Sequence, residues 1–333
     1  MGWSATLFLA LLYPYKIRLN HWFYSGPFVR SSTMRFLVLL FLPAPITTTA
    51  FLRSSHSVDA AKVNGPLTSN FQDWLKTNGY ASDNFARSDL GTQGSYGGKS
   101  DDKDKIRNTP VVFIHGNSDS ALAAGMYSGW TNSIQYFLDK GYTTAVQNYT
   151  KAAKVHIVAH SMGVTLGRKI ILGGKIAASD GETQLEPAGN CDIGTPLRFV
   201  DVFVGLSGAI YGMCNCAGNI HQPTCNHDDG FWPGDSCGDN KNCGASTMRF
   251  PCDRAVYAKF LTDLNQDFTQ LAKTVVSAWS KADDVLQYGD NTWGKPTSLI
   301  PRSTTQKTYN SYTHMQTKES PESVADQYNW VNR

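Results

Sequence analysis

Apolar residues in this chain gather in short, nearly continuous runs. Val111-Val112-Phe113-Ile114, Val155-His156-Ile157-Val158-Ala159 and the stretch Val275-Val276-Ser277-Ala278-Trp279 within residues 273–280 each have a strand's length and little alternation, the form of strands buried on both faces of a parallel sheet. Helical patterns lie between them. Ser69 and Gln72 predict a capping box for a helix carrying Phe71, Trp74 and Leu75, residues 130–140 carry Ile134, Phe137 and Leu138 up to a stop at Gly141, and a third helix opens after Gly163. Strands alternating with helices predict an α/β fold with a mostly parallel central sheet.

The junction Val158-Ala159-His160-Ser161-Met162-Gly163 carries the clearest chemistry. A serine hydroxyl is a poor nucleophile until a base reaches it, and a sharp strand-turn-helix lifts it above the sheet edge. The flanking residues must be small: Ala159 adds only a methyl, and Gly163 stands where the helix start is pressed against the strand. Two other serines come near this pattern without meeting it. Ser207 in Gly205-Leu206-Ser207-Gly208-Ala209 lacks the last glycine, and Ser128 in Gly125-Met126-Tyr127-Ser128-Gly129 follows no strand.

Upstream, the 111–114 strand runs into His115-Gly116-Asn117. The loop after such a strand supplies one oxyanion N–H and the residue after the nucleophile supplies the other, which assigns the two donors to the backbones of Asn117 and Met162. His115 reads as a loop-pinning residue rather than a base. With a serine at an elbow, acid and then histidine follow in the chain. His221, His227 and His314 lie downstream of Ser161; the first two sit among cysteines, and His314 lies in the polar stretch 308–315, taken as loop after the last strand. His314 is therefore the expected base. Asp283 at the end of the 273–280 strand is the expected acid, with Asp284 the alternative.

The set F-I-H-G-N-S, V-H-I-V-A-H-S-M-G-V-T, S-K-A-D-D and Y-T-H-M resembles the class 2 lipases, over roughly Gly65 to Gln327. That resemblance implies a small α/β-hydrolase that cleaves acylglycerol or other carboxylic esters without a cofactor, with Ser161, Asp283 and His314 at the triad positions and a transient lipid-interface contact. It also exposes a departure. The fold implied places a helix, a strand and a second helix between the two signature strands, yet after Gly141 only residues 142–154 remain. One strand-helix unit is expected to be missing at Ala145 and Val146, leaving neighbouring apolar faces exposed.

Residues 34–50 have the charge, apolar run and small-residue end of a signal peptide, residues 1–33 read as an upstream extension, and 51–66 as a linker to a hydrolase domain over 67–333. The apolar runs 3–13 and 36–42 fall short of the ~20 residues of a span. All seven cysteines, Cys191, Cys214, Cys216, Cys225, Cys237, Cys243 and Cys252, fall in a Gly-, Asp- and Asn-rich insertion over 191–252. Clustered cysteines behind a leader predict secretion, a mature start near Phe51, three disulfides with one thiol left over, and a cap bordering the acyl pocket. Zinc held by His221 or His227 with Cys214, Cys216 or Cys225, and calcium on Asp228, Asp229, Asp235 or Asp239, are weaker alternatives, because no paired C-x-x-C spacing is present and such aspartates commonly make turns. The net charge of +3 with scattered basic residues gives no nucleic-acid footprint. The function expected is secreted ester hydrolysis of the triacylglycerol lipase type. The alternatives are an inactive truncated product and a disulfide-stapled binding protein. Oligomeric state is not legible.

Overall fold

The computed structural model describes residues 65–117, 119–123, 128–142, 147–176, 191–216, 223–234, 243–244 and 255–333. The leader, nearly all of the linker, and the expected excision point at Ala145 and Val146 lie outside the described residues.

The first helix, α1 (Ser69–Thr77), buries Phe71 and Leu75 one turn apart. Its cap is Thr68, whose hydroxyl accepts from the Phe71 N–H at 3.3 Å, so the capping box expected at Ser69 is corrected by one residue. The Thr68 N–H is already taken by the Gly97 carbonyl, and the Gln72 amide donates to the Leu67 carbonyl instead.

The chain then alternates through β1 (Val111–Ile114), α2 (Thr131–Asp139), α3 (Gln147–Thr150), β2 (Val155–His160), α4 (Met162–Leu172), β3 (Lys175–Ile176), β4 (Cys191–Asp192), β5 (Val200–Leu206), α5 (Lys259–Gln266), β6 (Thr274–Ser280), β7 (Asn291–Thr292), β8 (Lys295–Pro296), β9 (Thr305–Tyr309), α6 (Gln316–Glu319) and α7 (Pro321–Val331). Five strands in the order β1-β2-β5-β6-β9 form one all-parallel sheet, with Ile114 beside Ala159, Ala159 beside Gly205 and Gly205 beside Ser277. Strands β3 with β4 and β7 with β8 make two small antiparallel pairs.

Alternate residues of each central strand feed two cores. On one face Val112, Ile114, Ile157, Ala159, Phe203 and Val275 pack under α4 with α1. On the other, Val111, Phe113, Val158, Val204 and Val276 pack against Trp130, Ile134 and Phe137 of the α2 region and Trp330 and Val331 of α7. This two-sided burial explains why β1, β2 and β6 read as nearly continuous apolar runs. β9 at one edge is polar and partly exposed, as a strand that meets water must be. It also runs through Tyr309, further than expected, so the loop carrying His314 is only 310–315.

Between α2 and β2 the described residues contain α3 and no strand, with 143–146 outside them, and among the described residues β1 pairs with β2 alone. The expected exposure of apolar surface is not found at β1, whose four residues are 1–5% exposed. Tyr149 of α3 belongs to the same core cluster as Val112 and Ile114. Its ring stacks on Phe71 with centroids 4.4 Å apart, and its hydroxyl accepts from the Lys99 N–H at 2.8 Å and donates to Asn70, so the shortened connection is pinned onto α1.

The cysteine-rich insertion contributes two disulfides, Cys214–Cys243 and Cys216–Cys225. Cys237 and Cys252 lie outside the described residues, and of Cys191 only the backbone in β4 is described. The insertion does bury a small core, but a shared one: Cys216, Cys225, Phe231 and Trp232 pack with Met162, Ala258, Leu261 and Leu286 from the parallel-sheet body.

Candidate active site

Ser161 sits between β2 and α4 with φ 57 and ψ −133, a backbone conformation that a non-glycine residue adopts only when its surroundings enforce it. The enforcement is visible. The Ser161 N–H donates to the Leu206 carbonyl at 2.9 Å, and its own carbonyl accepts from Val164 at 3.0 Å. A Cβ on Gly163 would lie 2.6 Å from the His115 carbonyl oxygen and 2.7 Å from that of Ile114, and a Cβ on Gly116 would lie 2.6 Å from the Ser161 Cβ. The elbow therefore backs directly onto the end of β1, and glycine at both positions is a steric requirement.

His314 and Asp283 come together. The His314 Nδ1 lies 2.7 Å from Asp283 Oδ2, and both residues are buried. Asp283 Oδ1 accepts from the Val285 and Leu286 N–H groups at 2.9 and 2.7 Å. Burial pushes the Asp283 carboxyl up, but the His314 hydrogen bond and charge, with these backbone donors, outweigh it and hold it below the usual carboxylate range. An ionised Asp283 fixes the proton on Nδ1 and leaves Nε2 as the free lone pair. Asp284 takes a different part, accepting the His314 backbone N–H at 2.8 Å from an exposed position. No hydrogen bond joins the Ser161 hydroxyl to the His314 ring among the described residues.

Among the described residues, no carbonyl accepts the backbone N–H of Asn117 or Met162. Met162 is the first residue of α4, whose leading N–H groups point away from the helix without intrahelical partners. The Met162 side chain anchors the turn in the core shared with the disulfide-rich insertion. His115 is buried, and its Nδ1 donates to the Gly116 carbonyl at 2.8 Å, with burial pushing its pKa down. That contact is the loop-pinning role expected of it. Ser207, the near-miss, also has positive φ (46), but its hydroxyl is buried and donates to Thr317 Oγ1 at 3.0 Å.

The zinc alternative loses its cysteine ligands. Cys214, Cys216 and Cys225 are in disulfides, His227 packs on Trp232 at 4.4 Å, and no group of His, Cys, Asp or Glu among the described residues is arranged to hold a metal ion. Asp228 and Asp229 form a turn whose N–H groups donate to Asn226 Oδ1. His221, Asp235 and Asp239 lie outside the described residues.

Sequence reasoning missed three buried groups around this site. Lys318 and Asp119 form an ion pair at 2.6 Å with almost no exposure, and Lys318 also donates to the Gly129 carbonyl. This pair joins the loop after β1 to the helix after His314. Nothing in the local sequence marks either member of the pair, because the partners are 199 positions apart. Asp290 is fully buried on Ser298, and His160 packs against His314.

Residues 143–329 match the family described as Lipase (class 2). No curated protein was found to match the chain. Among solved structures, the chain is similar to MGS-MChE2, an alpha/beta hydrolase from the metagenome of lagoon sediments at Mar Chica, Morocco, with 14% identity, 68% of this chain and 92% of that chain covered, and a TM-score of 0.36. It is also similar to lipase 1 from Pelosinus fermentans, with 12% identity, coverage of 68% and 98%, and a TM-score of 0.39.

Proposed function

Because the chain belongs to the class 2 lipase family, we propose that it is a secreted serine ester hydrolase of the triacylglycerol lipase type, acting in lipid catabolism on acylglycerol or other carboxylic esters. The observation that carries this reading is the buried Asp283–His314 pair at the same end of a parallel sheet as a serine held in a strained elbow.

The chemistry follows from the proton inventory. His314 Nε2 takes the Ser161 proton as Oγ attacks the ester carbonyl, and Asp283 stabilises the imidazolium that forms. The oxygen, now carrying the charge, is met by the N–H groups of Met162 and Asn117, which cost little to reorient because the elbow and loop already fix them. Collapse expels the alcohol with a proton from His314, and water then repeats the sequence on the acyl-enzyme. Every step uses groups of this chain.

The leader-like segment at 34–50 and the two disulfides support secretion, and no helix among the described residues is long and apolar enough to cross a membrane. A second reading, a catalytically inactive truncated product, draws on one observation: among the described residues, α3 is the sole element between α2 and β2. Hydrolysis of a short-chain p-nitrophenyl ester and of a tributyrin emulsion by the chain purified from culture medium separates the two. Turnover that Ser161→Ala abolishes supports the enzyme; an absence of turnover in folded, monodisperse protein favours the inactive product.

A further inference from the structure

His314 sits in a short loop between β9 and α6, so its ring position depends on how its backbone is held. The N–H is held by Asp284 at 2.8 Å. The carbonyl accepts from two donors, the Thr317 hydroxyl and His160 Nε2 at 3.0 Å. His160 is the residue covalently before Ser161. It is 1% exposed, and its ring packs against the His314 ring with centroids 4.5 Å apart at 52°.

We propose that His160 is a positioning residue for ester hydrolysis, its Nε2–H tying the backbone of the base directly to the nucleophile's own strand. The proposal rests on the serine-hydrolase reading above. Its physical ground is tolerance: proton transfer between Oγ and imidazole loses efficiency with displacements well under an ångström, and the Asp283 contact at Nδ1 restrains one end of the ring alone. His160 supplies a second restraint through the main chain and a flank for the ring.

Tautomer and charge agree with this role. The His314 carbonyl can only accept, so the proton of His160 resides on Nε2, and among the described residues its buried Nδ1 has no hydrogen-bond partner. The groups facing His160 are the His314 ring, Trp130 edge-on at 6.4 Å, and, electrostatically, Lys318 and His115. Burial first, then the His314 and Lys318 charges, keep its pKa well below the ordinary histidine value. A neutral His160 donates its hydrogen bond throughout the cycle and adds no repulsion when His314 becomes cationic.

The test compares His160→Phe, which keeps a ring but loses the donor, with His160→Gln, which returns an N–H near the Nε2 position. Active sites are counted by stoichiometric reaction with paraoxon, and turnover of a p-nitrophenyl ester is expressed per titrated site. We expect kcat per site to fall about tenfold in His160→Phe with KM changed less than about twofold, and to recover to within about threefold of wild type in His160→Gln. Wild-type kcat per site in His160→Phe, with loss confined to the titratable fraction, overturns the proposal and leaves only a packing role. Persistence of turnover in Ser161→Ala overturns the serine reading beneath it, so the two failures are distinguishable. Should His160→Phe not fold, histidine-selective nitrogen NMR of the wild type decides. A neutral His160 with its proton on Nε2 between pH 6 and 8 supports the tether, and a protonated ring or an Nδ1–H tautomer overturns it.

Discussion

Replacing Gly163 by alanine isolates the geometry on which the elbow depends. Gly163 has no unusual φ, so alanine is free of dihedral strain, and in an exposed helix the change would stabilise by roughly 0.5–1 kcal/mol. At this position the added Cβ meets two backbone carbonyl oxygens at 2.6 and 2.7 Å, about 0.5 Å or more inside ordinary contact. Neither oxygen is the end of a flexible side chain, so α4 must move away from β1 or the β1 end must move away from α4. Overpacking of this kind costs about 1–3 kcal/mol, and after the helix gain is subtracted the net loss expected for Gly163→Ala is about 1–2 kcal/mol. Gly167→Ala in the same helix is the control. Its Cβ would meet a Phe203 ring atom at 3.0 Å, and a small rotation of the ring relieves that contact, so helix propensity offsets the crowding and the change should lie near zero. Urea denaturation of the two variants measures the difference directly. Because the forced movement also displaces the Met162 N–H, Gly163→Ala should lose kcat beyond its loss of stability, by about tenfold or more. A Gly163→Ala protein as stable and as active as Gly167→Ala would refute the argument that the elbow is jammed against β1.

The other predictions concern the buried charges and the disulfides. Breaking the Lys318–Asp119 pair with Lys318→Met leaves an uncompensated carboxylate where there is almost no exposure, and should cost about 3–5 kcal/mol in denaturant midpoint analysis, with the double replacement Lys318→Met/Asp119→Leu recovering much of it. Burial raises the Asp119 carboxyl, but Lys318 outweighs it and sets it below its ordinary value. Its contribution is therefore fully present above the unfolded carboxylate pKa of about 4 and is lost as pH falls through the folded value, which acid titration of stability should record. Asp290 has the opposite sign: burial pushes it up to about 8, so the folded state holds a proton the unfolded state has released, and stability declines as pH rises from about 4 to 8. Asp290→Asn should flatten thermal stability across that window. The Cys214–Cys243 bond closes a separation of 29 residues, and paired replacement of both cysteines by serine should lower unfolding free energy by about 3–4 kcal/mol.

What the sequence made legible is what local sterics dictate. The elbow was readable because a serine at positive φ with a helix start jammed behind it needs small residues within a few positions, and Gly163 states that need locally. The order of Ser161, Asp283 and His314 was readable because parallel strands deliver their loops to one sheet end in chain order. Residues whose role depends on distant backbone were not readable. Thr68 rather than Ser69 caps α1 because the Gly97 carbonyl claims the Thr68 N–H, a contact without local signal. Asp119 and Lys318 are separated by 199 positions, and each alone looks like a surface charge. The buried reading of β1 held, and what was not legible is how Tyr149 fastens the short connection to α1 and the Lys99 backbone.

The central claim is that Ser161 is a nucleophile activated by His314. Labelling the purified protein with a fluorophosphonate, digesting it and locating the adduct by peptide mass spectrometry tests this without assuming a substrate. The account predicts one adduct per chain, on Ser161, which forms in the wild type and is lost in His314→Ala. An unmodified Ser161 in folded protein, or an adduct on Ser128 or Ser207 instead, would contradict it.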